Sequence, residues 1–247
     1  MMNFYAMTNI GMQRTKNQDQ ATVLKNDFNQ TIAIVCDGMG GHKAGEIASS
    51  LVNDYFIDAF NKINYFEDIE HASKWLNDTI QTVHQVVFNQ AKNDGGLEGM
   101  GTTIVVALIL NQQVIIAHVG DSRAYLYKKN ELKQLTKDHS FVNELLDRGA
   151  ISQSELEHHS NRNMLLQAIG AIIEIKVSIC HQIVTNGILL LCSDGLYNML
   201  SNQKMIEIIE QHQTMEEIGD CLIKEANLAG GKDNIAVVLV DVTGGNK

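Results

Sequence analysis

Proline is missing from all 247 residues, so the turns must be made by Gly, Asn and Asp, and no slow X-Pro isomerisation limits folding. Cysteine is scarce. Cys36, Cys180, Cys192 and Cys221 show no C-x-x-C spacing, and three of them sit in apolar runs or on helix faces, the setting of buried reduced thiols. None is followed by Arg six positions later, which excludes the nucleophilic loop of a cysteine-dependent phosphatase. The nine histidines include no H-E-x-x-H pair for zinc, and His158-His159 reads as solvated surface. Positive charge is short as well: 19 Lys and Arg face 29 Asp and Glu, for a net charge of -10. No basic cluster offsets that field, which argues against nucleic-acid binding. The longest apolar run, Ile104 to Leu110, is far below the roughly 18 residues that span a bilayer. The N-terminus has neither a basic n-region nor a long apolar h-region, so a cytoplasmic protein, away from membranes, is expected.

What is present is an ordinary 45% of hydrophobic residues, spread from Phe4 to Val242 without a linker, repeat or composition shift. That pattern predicts a single domain over 1–247. Runs rich in Val, Ile and Thr read as strands at about 3–9, 20–26, 31–37, 102–110, 113–120, 122–128, 175–183, 187–193 and 234–242. Asn111-Gln-Gln and Lys129-Asn130 read as hairpin connections, favouring antiparallel pairing. Helical period appears at Ile47, Leu51, Tyr55 and Ala59, and again at Ile69, Ala72, Leu76, Ile80, Val83 and Val87. A second helical pair is predicted at 202–211 and 214–229, closed by Gly230-Gly231. Helices arriving in pairs between groups of strands predict an α+β fold: a four-layer α-β-β-α sandwich of two antiparallel sheets. The less regular stretch 138–170 reads as a mobile flap.

Four aspartates stand where apolar runs meet small-residue turns: Asp37, Asp121, Asp194 and Asp233. Each alone reads as an ordinary Asp-Gly or loop turn. Four together, one of them in the cluster Asp37-Gly-Met-Gly-Gly-His42, point to a shared purpose. Carboxylates without His or Cys suit magnesium or manganese, which prefer oxygen ligands and retain waters. Two such ions about 3.5 to 4 Å apart share a carboxylate and activate a water. Asp37 is the best candidate for the shared ligand, with a backbone carbonyl available from Gly38. Arg14 offers a planar fork of donors suited to phosphate oxygens, though an isolated Arg of this kind reads more readily as a surface residue.

Arg14-x-x-Asn-Gln-Asp19, Val35-Cys-Asp-Gly-Met-Gly-Gly-His-Lys-Ala-Gly-Glu46, Gly101-Thr-Thr103, His118-Val-Gly-Asp-Ser-Arg-Ala124, Leu135-Thr-Lys-Asp-His-Ser140, Cys192-Ser-Asp-Gly-Leu196 and Gly231-Lys-Asp-Asn234 occur in that order. In these blocks the chain resembles a bacterial metal-dependent protein phosphatase of the type 2C family. The resemblance spans Arg14 to Asn234 and implies the same α-β-β-α sandwich and hydrolysis of phosphoserine and phosphothreonine on proteins by a hydroxide held between two Mn or Mg ions. It implies that Asp37 bridges the core ions, that Asp194 and Asp233 complete the first site, and that Gly38 and Asp19 serve the second. A third, weaker site would use Asp121 with Asp194. Arg14 would hold the substrate phosphate, and Asn234 would orient the adjacent ligand. A cognate eukaryotic-like Ser/Thr kinase and its phosphorylated targets are the implied partners of a monomer. Some positions depart from the family pattern. Gln18 replaces a common glutamate, so the second site rests on Asp19. Met39 stands where the eukaryotic branch carries a histidine, so the leaving alkoxide takes its proton from a metal-bound water or from His42, which reads equally as a structural histidine at a helix start. Ser160 and Gln167 depart within the flap, which the resemblance places at Ser140 to Gln167. Two other readings are open to the sequence: a docking module that keeps the fold with weak or no catalysis, and a nucleotide-binding enzyme. The intact carboxylates oppose the first. The lack of G-x-x-x-x-G-K-[ST] and G-x-G-x-x-G opposes the second.

Overall fold

The computed structural model describes residues 3–40 and 44–243. One sheet runs in the order β1 (Phe4–Asn9), β11 (Ile235–Asp241), β10 (Ile188–Cys192), β7 (Arg123–Lys128) and β8 (Glu131–Gln134). The other runs β2 (Asp19–Lys25), β3 (Thr31–Met39), β5 (Ile104–Leu110), β6 (Gln113–Val119) and β9 (Ser178–Ile183), with the short β4 (Gly101–Thr102) paired to the end of β3. All these pairings are antiparallel.

Successive side chains of a strand point to opposite faces, and here both faces are covered. On β3, Ile32, Ile34 and Cys36 turn outward, where Val52 and Phe56 of α1 (Ala44–Lys62) and Leu76, Ile80 and Val83 of α2 (Ile69–Asn93) cover them. Ala33 and Val35 turn inward to meet Leu189 and Leu191 of β10 and Ala236, Val238 and Val240 of β11 across the gap between the sheets. The outer face of the β1 sheet packs on α5 (Asp194–Tyr197), α6 (Asn202–Gln211) and α7 (Met215–Leu228). The result is the four-layer α-β-β-α sandwich expected from the order of elements. Double coverage also explains the unbroken apolar run of β5, which has no wet face to alternate with.

Without proline, left-handed asparagines make several turns. Asn111 (φ 57°) joins β5 to β6, and Lys129 (φ 51°) with Asn130 (φ 62°) joins β7 to β8, the pair of positive φ angles that a two-residue hairpin turn requires. Helix α7 opens on a Thr214–Glu217 capping box and closes through Gly230 and Gly231, whose N–H groups return to the carbonyls of Asn227 and Ala226.

Three local differences from the sequence reading bear on function. β3 continues through Met39 because β4 pairs with its end, so Asp37 lies inside the strand. Asp194 does not close β10; it opens α5, a single turn with Ser193 at its N-cap position. The polar β8 carries too little hydrophobic pattern to be read in advance. The flap holds two short helices, α3 (Phe141–Asp147) and α4 (Gln153–His158), and its root is fastened by bridges Ser140↔Leu165 and Thr102↔Ile169. Among the described residues, no helix is long and apolar enough to cross a membrane.

Candidate active site and metal centre

The face that builds the inter-sheet core also builds the site. Continuing the alternation of β3 past Ala33 and Val35 places Asp37 between the sheets, and Asp19 of β2 lies directly opposite it in register. At this end of the sandwich apolar residues give way to buried polar ones: Asp19 (2% exposed), Thr103, His118, Ser122, Ser193 and Asn234. Hydrogen bonds satisfy them across the gap. The Ser193 hydroxyl donates to Asp19 Oδ2 at 2.6 Å and accepts the Ala236 N–H at 2.8 Å. Thr103 and Ser122 share a hydrogen bond of 2.7 Å. The backbone N–H of Gln18 donates to Asn234 Oδ1 at 2.8 Å.

Above this floor lies a cavity of about 350 Å³ whose wall includes Arg14, Asp37, Gly38, Asp121, Asp194 and Asp233. The flap contributes Asn163 and Leu165 to its edge. Asp37 is fixed through its backbone: its N–H donates to Thr103 Oγ1 at 3.1 Å, and its carbonyl accepts from the Thr103 N–H and the Thr102 hydroxyl, both at 2.8 Å. Gly38 permits a close approach rather than a turn, since a Cβ there would lie 2.2 Å from the Gly45 carbonyl oxygen. Gly195 does the same beside Asp194, where a Cβ would lie 1.9 Å from the Asn234 carbonyl oxygen. Asn198 Nδ2 donates to Asp194 Oδ2 at 3.1 Å.

The cavity is electrostatically uncomfortable for its own carboxylates. Desolvation raises Asp37 well above the usual range, and the charges of Asp19 and Asp194 raise it further. Burial lifts Asp19 to about 8 against the hydrogen bond from Ser193. Burial and then Asp194 lift Asp121 to about 7; burial and then Asp233 lift Asp194 to about 6. Asp19 lies opposite Asp37 in register, and Asp194 shares the cavity wall with it. Among the described residues, no three His, Cys, Asp or Glu side chains form a ready-made metal cage; these carboxyls face one another across the cavity instead. A set of oxygen donors that repel one another when ionised, on rigid strand and helix ends, fits hard divalent cations and supplies no His or Cys for zinc.

Arg14 lies at the mouth, with half its side chain exposed, and its Nη2 donates to Asp233 Oδ2 at 2.6 Å. That bond raises its already high pKa. Asn234 reaches Asp233 through its backbone N–H at 2.9 Å, not its side chain. The side chain instead ties down the segment before β2, donating to the carbonyls of Ile10 and Lys16 at 2.9 and 2.8 Å. His42 lies outside the described residues. Of the flap positions singled out in sequence, Ser160 is exposed, and Gln167 accepts the Lys176 N–H at 2.9 Å.

Sequence reasoning gave no role to Thr102, Thr103, Ser193 or His139. His139 accepts the Gly120 N–H at Nδ1 (3.3 Å), shares a hydrogen bond with Ser178 Oγ (2.8 Å) and stacks on His118 at 4.6 Å between centroids. Burial, the neighbouring His118 and Lys176 hold its pKa down to about 4, so the ring stays neutral and Nδ1 remains an acceptor. The signal available in advance was the motif blocks: Ser193 precedes Asp194, Thr102 and Thr103 stand in Gly101-Thr-Thr103, and His139 stands in the block from Leu135 to Ser140.

The chain matches the model of the protein phosphatase 2C family over residues 12–228. It is 44% identical over 237 residues to the serine/threonine phosphatase stp of Listeria monocytogenes, covering 95% of this chain and 93% of that one. The crystal structure of the serine/threonine phosphatase Stp1 from Staphylococcus aureus superposes with a TM-score of 0.91 at 34% identity, covering 98% and 95% of the two chains. The catalytic domain of the serine/threonine protein phosphatase PstP, solved in complex with two manganese ions, superposes with a TM-score of 0.84 at 30% identity over 97% of each chain.

Proposed function

Because the chain belongs to the protein phosphatase 2C family, we propose that its carboxylate-lined cavity is the binuclear Mn or Mg centre at which phosphoserine and phosphothreonine monoesters on proteins are hydrolysed. Metal-dependent serine/threonine phosphatase activity follows from family and relatives; the assignment of residues is the proposal. One observation carries it: the polar end of the inter-sheet layer brings Asp37, Asp121, Asp194 and Asp233 to a single cavity although they are far apart in sequence, with Asp19 buried opposite Asp37 in register.

In this reading Asp37 is the shared ligand, Asp194 and Asp233 complete the first ion's site, and the Gly38 carbonyl and Asp19 serve the second. Asp121 with Asp194 forms a third, weaker site. When bound, such ions supply a water of lowered pKa as nucleophile and positive charge for the phosphoryl oxygens. The protein's own part is positioning. Thr102 and Thr103 hold the Asp37 backbone, Ser193 fixes Asp19, and Asn198 holds Asp194. Arg14 presents its guanidinium at the mouth, where a phosphomonoester enters, and its planar fork matches two phosphate oxygens. Clustered charge of both signs arranged in advance is what this reaction requires, since little covalent work falls to the protein. The 247 residues act as one domain and one monomer, opposing a Ser/Thr kinase.

The test is phosphate release from a phosphothreonine peptide, with MnCl2 and with EDTA, beside the Asp194→Ala variant. Release that depends on Mn and vanishes in the variant supports the assignment. Undiminished release by folded Asp194→Ala refutes it.

A further inference from the structure

The turn that presents Asp121 is gripped from the root of the flap. Asp138, which precedes α3, takes the Arg123 guanidinium as a fork: Nε donates to Oδ1 at 3.0 Å and to Oδ2 at 3.1 Å, and Nη2 to Oδ2 at 2.7 Å. The pair is largely withdrawn from solvent, with 24% and 10% of the side chains exposed. Arg123 Nη1 donates to the Tyr125 hydroxyl at 3.0 Å, and the guanidinium carbon lies 3.6 Å from the centre of the Tyr197 ring. The Tyr197 hydroxyl donates to the carbonyl oxygen of Asp121 at 3.2 Å.

The next residue along the flap root makes a second connection. The His139 N–H donates to the Gly120 carbonyl at 2.9 Å, and its ring accepts the Gly120 N–H. Gly120 itself is strained for any other residue, with φ +107° and Thr103 Cγ2 only 2.6 Å from where a Cβ would stand. The peptide groups on either side of the Asp121 α-carbon are therefore held by flap-root residues and by Tyr197.

This arrangement is more than an ion pair. A paired charge withdrawn from water gains little net stability, yet here all three guanidinium nitrogens and both carboxylate oxygens are engaged. The Gln134 side chain closes on Asp138 Oδ1 at 3.1 Å, and the Asn143 side chain on its carbonyl at 3.1 Å. The adjoining cavity of about 590 Å³ is lined by these same groups. They are engaged with one another rather than aimed at a ligand. What the network fixes is the position of the Tyr197 hydroxyl, and through it the Asp121 backbone.

We infer that Asp138, Arg123 and Tyr197 are positioning residues that set the Asp121 carboxylate, so that the flap root controls how firmly Asp121 serves the metal site. The inference rests on the phosphatase reading above. Partners that orient a metal ligand change metal affinity or activity by about 10- to 100-fold when removed.

Tyr197→Phe keeps the ring under Arg123 and removes only the hydroxyl. It is compared with Asp121→Ala and with the double variant, using phosphopeptide turnover and calorimetric Mn titration. Tyr197→Phe is expected to slow turnover about tenfold and to weaken the weaker phase of Mn binding by a similar factor, with KM for the peptide unchanged. In the Asp121→Ala background it is expected to change neither quantity. Asp138→Asn is expected to reproduce the Mn shift. An equal loss of turnover in both backgrounds, or a Mn isotherm identical to that of the unsubstituted protein, would overturn the inference. Failure of the phosphatase reading is seen separately, as absence of Mn-dependent release from the unsubstituted protein.

Discussion

The strand ends that carry the aspartates and the flap that overhangs them are built on opposite principles. Asp37 continues a strand whose preceding six residues are wholly buried, and its backbone is hydrogen-bonded to the Thr102-Thr103 segment. The flap from 138 to 170 buries only a few side chains, among them Val142 and Ile169, and its two helices are seven and six residues long. A helix that short has little stability of its own. The scaffold thus holds ligands in fixed relation while the flap is attached chiefly at its root, through Ser140, Leu165 and the His139–Gly120 contacts. Chemistry that depends on placement within fractions of an ångström belongs on the first kind of structure. Contacts with varied phosphoproteins belong on the second.

The sharpest way to break this contrast is at Asp37. Asp37→Asn is expected to lower phosphopeptide turnover by about 10³-fold or more, roughly 4 kcal/mol of transition-state stabilisation, with the circular dichroism spectrum unchanged. Turnover within tenfold of the unsubstituted enzyme would show that the strand end is not the reacting centre.

Stability gives the next contrast. Leu191→Ala, in the inter-sheet layer, is expected to cost about 2 to 5 kcal/mol in urea unfolding. Leu156→Ala, in the partly exposed α4 of the flap, is expected to cost under about 1 kcal/mol. Equal losses would mean that the flap folds as part of the same core.

Metal removal acts on the scaffold end. In the metal-free chain, the carboxyls of Asp194, Asp121 and Asp19 titrate at about 6, 7 and 8, above the unfolded value near 3.9. The folded state therefore binds more protons than the unfolded state between about pH 4 and pH 8. Stability contributed by these groups is present below that window and is lost as pH rises through it. With EDTA, the melting temperature is expected to fall from pH 5 to pH 8. Mn should raise it again, most at pH 8, adding about 2.7 kcal/mol of stability at a hundredfold excess over its dissociation constant. A melting temperature that rises with pH in EDTA would contradict the charge pattern of the cavity.

The smallest effect is expected on the flap surface. Arg148 and Glu144 pair across one turn of α3 at 2.6 Å, with 72% and 45% of the side chains exposed. Arg148→Ala should change stability by less than about 0.5 kcal/mol, a difference read from paired denaturation curves.

Much of the scaffold was legible because its signals are local. The apolar run of β5, the helical periods of α1 and α2 and the closing Gly230-Gly231 lie within short windows, and they gave the layers and nearly every strand. Asp37 was legible for the same reason, as a carboxylate at the end of an apolar run. Other parts of the site depend on how the two sheets stack. Ser193 meets Asp19 across 174 positions of sequence, and Asn234 meets Gln18 across 216; no periodicity encodes such meetings. The single-turn α5 was hidden because four residues after a strand carry no helical period. The Arg123–Asp138–Tyr197 connection was equally invisible, since each member lies in a different element.

The most direct measurement is anomalous diffraction at the manganese edge from crystals grown with MnCl2. Manganese peaks within ligand distance of Asp37, with Asp194 and Asp233 completing the coordination of one ion, are the result this account expects. Ordered manganese bound elsewhere on the protein, with none beside Asp37, would contradict it.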